Sequence, residues 1–129
     1  MSGNGSDLLV RTVRGKGRGL FAGRRFLEDE VIERAPVIIV PSEQFDFLAE
    51  TVVSSYCFSW GKNDDAAIPL GLCSLLNHSY TPNAYAQLRV RDRVIEFLAL
   101  RQIEEGEEIT LNYNGDPDNR TPLDFPVRR

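Results

Sequence analysis

The sequence predicts a mostly-β domain made of several small sheets. Three observations carry this. Short apolar runs are separated at close intervals by Gly, Pro and polar clusters. Residues 83–90 alternate cleanly, with Ala84, Ala86, Leu88 and Val90 on one face and Tyr85, Gln87 and Arg89 on the other. Only one segment has both a helix-start residue and helical apolar spacing. At 129 residues the chain has room for one small core.

Residues 8–13, LLVRTV, read as the first strand. Gly15-Lys16-Gly17-Arg18-Gly19 follows, then Leu20-Phe21-Ala22. Glycines at this density mean a backbone that turns or is closely approached. Residues 31–40, VIERAPVIIV, form a strand expected to be broken or displaced at Pro36. Ser42 is the expected N-cap of a short helix reaching about residue 51, with Phe45, Leu48, Ala49 and Val52 as its inner face. Residues 56–60, YCFSW, are a further strand, and Asn63-Asp64-Asp65 a turn. Residues 69–82 fit no single period. The 83–90 strand turns at Arg91-Asp92-Arg93 into 94–100, which makes a hairpin. Glu104 to Glu107 is a turn, and 108–112 is the last strand. The N-terminal residues 1–7 are expected to be disordered. Residues 8–115 form the domain, and 116–129 an irregular tail.

Composition narrows the function classes. The 15 Lys plus Arg are outnumbered by 19 Asp plus Glu, for a net charge of −4 and a pI near 5.0. That argues against direct nucleic-acid binding, which needs a basic footprint, and suits a basic partner. No run is long and apolar enough to cross a bilayer, and no secretory signal is visible, so no membrane association and an intracellular location are expected. Cys57, Cys73 and the single His78 cannot fill a four-ligand zinc site, so no metal is expected.

Four features could carry chemistry. Gly17-x-Gly19 reads as a glycine-rich hairpin turn or as a backbone loop lying against a ligand. It lacks the third glycine and following helix of a dinucleotide site. Asn77-His78-Ser79-x-x-Pro82-Asn83 is a polar cluster beside an apolar run, held either by neighbouring backbone or by a polar ligand. Glu107 to Tyr113 is an acidic turn leading into a strand that ends on tyrosine, taken alone a core or rim aromatic. Tyr56-x-Phe58-x-Trp60 would share one strand face, as a hydrophobic face or as an aromatic slot suited to a cation.

The order and spacing of Gly17-Arg18-Gly19, Asn77-His78-Ser79-Tyr80-Thr81-Pro82-Asn83 and Glu108-Ile109-Thr110-Leu111-Asn112-Tyr113 resemble the SET-domain protein lysine methyltransferases. The resemblance covers about residues 8–115, and the middle motif is the most specific. It implies a SET fold: several small sheets with a C-terminal pseudoknot, in a minimal domain of bacterial or viral size. It implies S-adenosylmethionine as cofactor, bound by Lys16, Gly17, Arg18, Gly19, Asn77, His78 and Tyr113. It implies a substrate channel of Tyr56, Phe58 and Phe125, with Tyr113 as the catalytic residue. The partner would be a basic protein or peptide, such as a histone-like or ribosomal tail. Glu28, Asp29, Glu30, Asp64, Asp65, Glu104 and Glu105 are candidates for attracting it. A homodimer could cover leftover apolar surface, as in small viral relatives. A bacterial source would make the location cytoplasmic. The alternative reading is a catalytically inactive SET-like module that binds a peptide or partner.

The chain departs from the family pattern at four places. Asn112 replaces the aspartate before the tyrosine. Ser74-Leu75-Leu76 replaces the Arg-Phe-Ile that often precedes Asn-His. Asn114 stands where many members have glycine. The tail replaces the zinc-binding cysteine segment found after many of these domains.

Overall fold

The computed structural model describes residues 6–15 and 17–122. Two sheets dominate. The first has four strands in the order β1 (Leu8–Val13), β2 (Gly17–Ala22), β9 (Glu108–Leu111), β6 (Asn77–His78). The second has five, in the order β4 (Phe58–Trp60), β5 (Asp65–Pro69), β3 (Val31–Val40), β8 (Val94–Ala99), β7 (Ala84–Arg89). All the pairs are antiparallel except β6 with β9, which is parallel and matches Asn77 to Thr110 and His78 to Leu111. The expected hairpin forms around Arg91-Asp92-Arg93, with Ala84 opposite Ala99 and Arg89 opposite Val94.

Several local expectations are corrected. The first turn lies at Arg14 and Gly15, not at Gly17–Gly19, which open β2. Pro36 does not break β3, because the strand changes partner there. It pairs with β8 from Val31 to Pro36 and with β5 from Val37 to Val40. Pro36 is exposed and gives its carbonyl to the Leu70 N–H at 2.9 Å. Ser42 caps no helix. It opens a 3-10 turn (Ser42–Gln44), and its N–H donates to Asp65 Oδ1 at 3.0 Å. The α-helix, α1, is only Phe45–Ala49 and buries none of its residues. Its expected inner face is therefore wrong, and Val52 is 73% exposed. Tyr56 ends a second 3-10 turn (Val52–Tyr56), so it does not share strand β4 with Phe58 and Trp60. Ser6 and Asp7, assigned to a disordered N-terminus, contact the domain: Gly23 N–H donates to the Asp7 carbonyl at 2.8 Å.

The core lies between the sheets. Leu20, Phe26, Leu76, Ile95, Phe97, Ile103 and Ile109 are fully buried in it. Each such side chain stabilises the fold by roughly 1.5–3 kcal/mol through burial alone. Phe58 packs edge-on against Phe97, with ring centroids 5.9 Å apart. A 3-10 turn over Leu72–Leu75 brings the chain to Asn77. Glu33 on β3 anchors that turn, accepting from the Cys73 N–H at 2.8 Å and the Leu72 N–H at 3.1 Å. Both cysteines are free thiols.

Candidate active site

Asn77 is 2% exposed, so its amide needs partners. Its Nδ2 donates to the Arg18 carbonyl at 3.0 Å and to Glu108 Oε2 at 2.8 Å. One side chain thus ties β6 to β2 and β9. Gly19 makes this crossing fit. A Cβ there would fall 2.7 Å from Glu108 Oε2 and 3.0 Å from Asn77 Nδ2. The glycine that looked like a turn residue is a close-approach residue inside a strand. Asn83, also 2% exposed, holds β9 through its side chain. Its Oδ1 accepts from the Thr110 N–H at 2.9 Å, and its Nδ2 donates to the Glu108 carbonyl at 2.8 Å.

Beyond β9 the chain crosses the segment 76–80. Ser79 N–H donates to the Leu111 carbonyl at 2.8 Å. The Tyr113 N–H donates to His78 Nδ1 at 3.0 Å, and the Tyr113 phenol donates to the Leu76 carbonyl at 2.6 Å. The His78 ring lies 5.2 Å from the Tyr113 ring and edge-on to Tyr80 at 4.4 Å. Because Nδ1 accepts, neutral His78 carries its proton on Nε2. That Nε2 is buried and has no partner among the described residues.

Burial holds the His78 pKa below its ordinary 6.5. The sign follows from linkage. Below 6.5 the unfolded chain takes up the proton first, so stability falls with acidification down to the folded pKa. Protonated His78 also loses the acceptor that holds Tyr113. We expect a nitrogen-15 NMR titration to show the Nε2–H tautomer at neutral pH and a midpoint below 6.5. A midpoint at or above that value would contradict it.

A cavity of about 810 Å³ adjoins this crossing, which is within the range of small-ligand sites. Tyr113, Tyr56 and Phe58 all line it, so the aromatic residues expected around a channel meet in one space. Trp60 does not line it and is buried in the core. Gly17, Arg18, Gly19, Asn77 and His78 do not line it either. Asn77 and His78 reach it through Leu76 and Tyr113. Lys16 and Phe125 lie outside the described residues.

Sequence reasoning missed Phe45 and Ala49, which line the cavity from α1. Their apolar spacing suggests core, but no element among the described residues covers them. None of the seven acidic residues singled out for a basic partner lines the cavity. Several are engaged elsewhere. Glu30 pairs with Arg24 at 2.8 Å, and Asp29 accepts from the Tyr85 phenol at 2.9 Å. Asp65 accepts from Ser42, and Glu104 pairs with Arg25 at 3.3 Å.

Comparison with known proteins settles the family. The SET domain profile matches residues 17–114. An H3 lysine-37-specific histone-lysine N-methyltransferase of Schizosaccharomyces pombe is 32% identical over 109 residues. The match covers 84% of this chain and 74% of that protein. This chain belongs to the SET-domain family. An H3 lysine-4-specific histone-lysine N-methyltransferase of Aspergillus oryzae is 31% identical over 117 residues, but the chain spans only 10% of that protein's length. A solved Plasmodium falciparum protein shares this fold with a TM-score of 0.69. It is 24% identical, with 84% of this chain and 93% of that one covered. The SET fold explains why three motifs scattered over the sequence converge on one crossing.

Proposed function

We propose that this SET domain transfers a methyl group from S-adenosylmethionine to the side-chain nitrogen of lysine in a basic protein tail. The observation that carries it is the placement of Tyr113. Its phenol is fixed on the Leu76 carbonyl, its ring abuts His78, and it shares a cavity with Tyr56 and Phe58. The relatives named for histone H3 favour a histone-like tail over a ribosomal one. An intracellular substrate is part of the same reading.

The residues present fit the cofactor. Asn77 spends both amide N–H groups on Arg18 and Glu108, which leaves its carbonyl oxygen as the atom it can offer an ammonium group. His78 Nε2–H is a buried donor lacking an acceptor among the described residues, suited to a polar ring edge. Backbone at Gly17 to Gly19 would lie along the same ligand, with Arg18 toward its carboxylate. When bound, the cofactor supplies an electrophilic methyl group on a cationic sulfur.

The lysine amine must be neutral to form the new C–N bond. With an ordinary pKa of about 10.4, that costs about 4 kcal/mol near pH 7.4. The aromatic walls Tyr56 and Phe58 desolvate the ammonium and lower this cost. A neighbouring cation would lower it further, so no dedicated base is needed. The ammonium would lose one proton to solvent before transfer; the methyl–sulfur bond would break as the C–N bond forms, and the product would be a methylammonium. The Tyr113 phenol directs its O–H at the Leu76 carbonyl, so its oxygen lone pairs can accept from an amine N–H and aim the nitrogen lone pair.

The test is incubation of the purified chain with labelled S-adenosylmethionine, histone H3, a basic peptide panel and a cell lysate, read by mass spectrometry. Label on lysine in a basic protein is expected. Cofactor binding with no methylated lysine in any sample would leave the inactive partner-binding module instead. No cofactor binding at all would refute the methyltransferase.

A further inference from the structure

Residues 115–121 have no regular secondary structure, yet side chains from the site hold them. Asn112 is 6% exposed. Its Nδ2 donates to the Asn119 carbonyl at 2.6 Å and the Pro117 carbonyl at 3.3 Å, while its Oδ1 accepts from the Asn114 N–H at 3.0 Å. Asn114 Nδ2 donates to the Thr121 carbonyl at 2.8 Å and, more weakly, to that of Asn119 at 3.4 Å. The Tyr80 phenol donates to the same Thr121 carbonyl at 3.0 Å. Three side chains therefore bind three backbone carbonyls of one segment. Gly115, with φ at +92°, turns the chain into it. Asn112, Asn114, Gly115 and Pro117 line the same cavity as Tyr113.

We propose that Asn112 and Asn114 are positioning residues that clasp segment 115–121 as a wall of the substrate cavity, and that the clasp requires asparagine at position 112. The wall's function rests on the reading of that cavity as the lysine channel. The chemistry of the clasp does not. A carboxamide has two N–H donors, whereas a carboxylate has none. Aspartate at 112 could still accept from the Asn114 N–H. It would then face the Pro117 and Asn119 carbonyls with a negative oxygen and no proton to give. The residue that many SET domains carry before the tyrosine is thus incompatible with this chain's own tail. Asn114 follows the same logic, since the glycine found there in many members has no donor for Thr121.

The test compares the wild-type chain with Asn112→Asp and with Asn114→Ala/Tyr80→Phe. Hydrogen exchange of residues 115–121 is measured alongside peptide methylation kinetics. Exchange of the segment is expected to quicken about tenfold or more in Asn112→Asp, with β9 unchanged. Peptide KM should rise by about tenfold, because the wall no longer orients the acceptor. The double variant should move both readouts in the same direction by less. Unchanged exchange in both variants would overturn the clasp. Faster exchange with unchanged KM and kcat would overturn the wall. A wild type silent on every peptide would overturn the lysine channel and not the clasp, which the exchange decides.

Discussion

Tyr113→Phe is expected to slow methyl transfer by about a hundredfold, the scale of removing one well-placed polar contact at a reacting centre. The ring stays, so the cavity wall and the contact with His78 stay. What goes is the oxygen 2.6 Å from the Leu76 carbonyl. The stability cost is about 1 kcal/mol, because one hydrogen bond is lost at a half-buried site. Rate and stability should therefore separate. Single-turnover methylation with labelled cofactor would fall steeply, while a denaturant midpoint would move little. A Tyr113→Phe protein that turns over at the wild-type rate would remove Tyr113 from the chemistry.

The second large effect is expected from Asn77→Asp, a change of one atom type with no change of shape. The wild-type amide donates to both Arg18 and Glu108. A carboxylate there would meet the Glu108 carboxylate at hydrogen-bond distance in a buried place, with no proton between them. Roughly 3–5 kcal/mol of stability should be lost at neutral pH, the scale of an uncompensated buried charge. The loss should ease on acidification. Two carboxylates sharing one site raise the pKa of the pair in the folded state above its unfolded value. The folded form then takes up a proton first, and its relative stability rises as pH falls. Thermal melts from pH 8 to pH 5 would show this as a shrinking gap to wild type. A gap that is small, or that widens in acid, would mean that Asn77 is not the clamp described above.

Much of this fold was legible from local pattern. The 84–99 hairpin shows because the alternation marks a strand and Arg91-Asp92-Arg93 marks the turn, although the apolar face expected to be buried is so only at its start: Ala84 is buried, while Leu88 and Val90 are exposed. Strand β1 shows for similar reasons. The misreadings share a cause, which is that local pattern does not know its partner. Phe45, Leu48, Ala49 and Val52 have helical spacing, but among the described residues no element buries α1, so Phe45 and Ala49 line the cavity, and Val52 and nearby Phe47 are 73% and 77% exposed. Gly19 looks like a turn residue until Asn77 and Glu108 arrive from 58 and 89 positions away. Pro36 looks like a strand break because the change of partner from β8 to β5 is invisible in β3 itself. The site was legible in a different way. Asn77, His78 and Tyr113 could be picked out by motif, but the bonds that join them are tertiary. The grip of Asn112 and Asn114 on the tail looked like a departure from the family pattern until the carbonyls they bind were placed.

The pairing of a two-residue strand with a four-residue one has a consequence for how the protein comes into being. Neither β6 nor β9 has the length to persist alone, and the amide that locks them reaches back to Arg18. During synthesis, the strands that precede residue 108 must wait for residues 108–113 to leave the ribosome before this crossing can assemble. Such distant closures are slow, so the emerging chain spends that interval with Cys73 and Leu76, both buried in the folded domain, open to solvent.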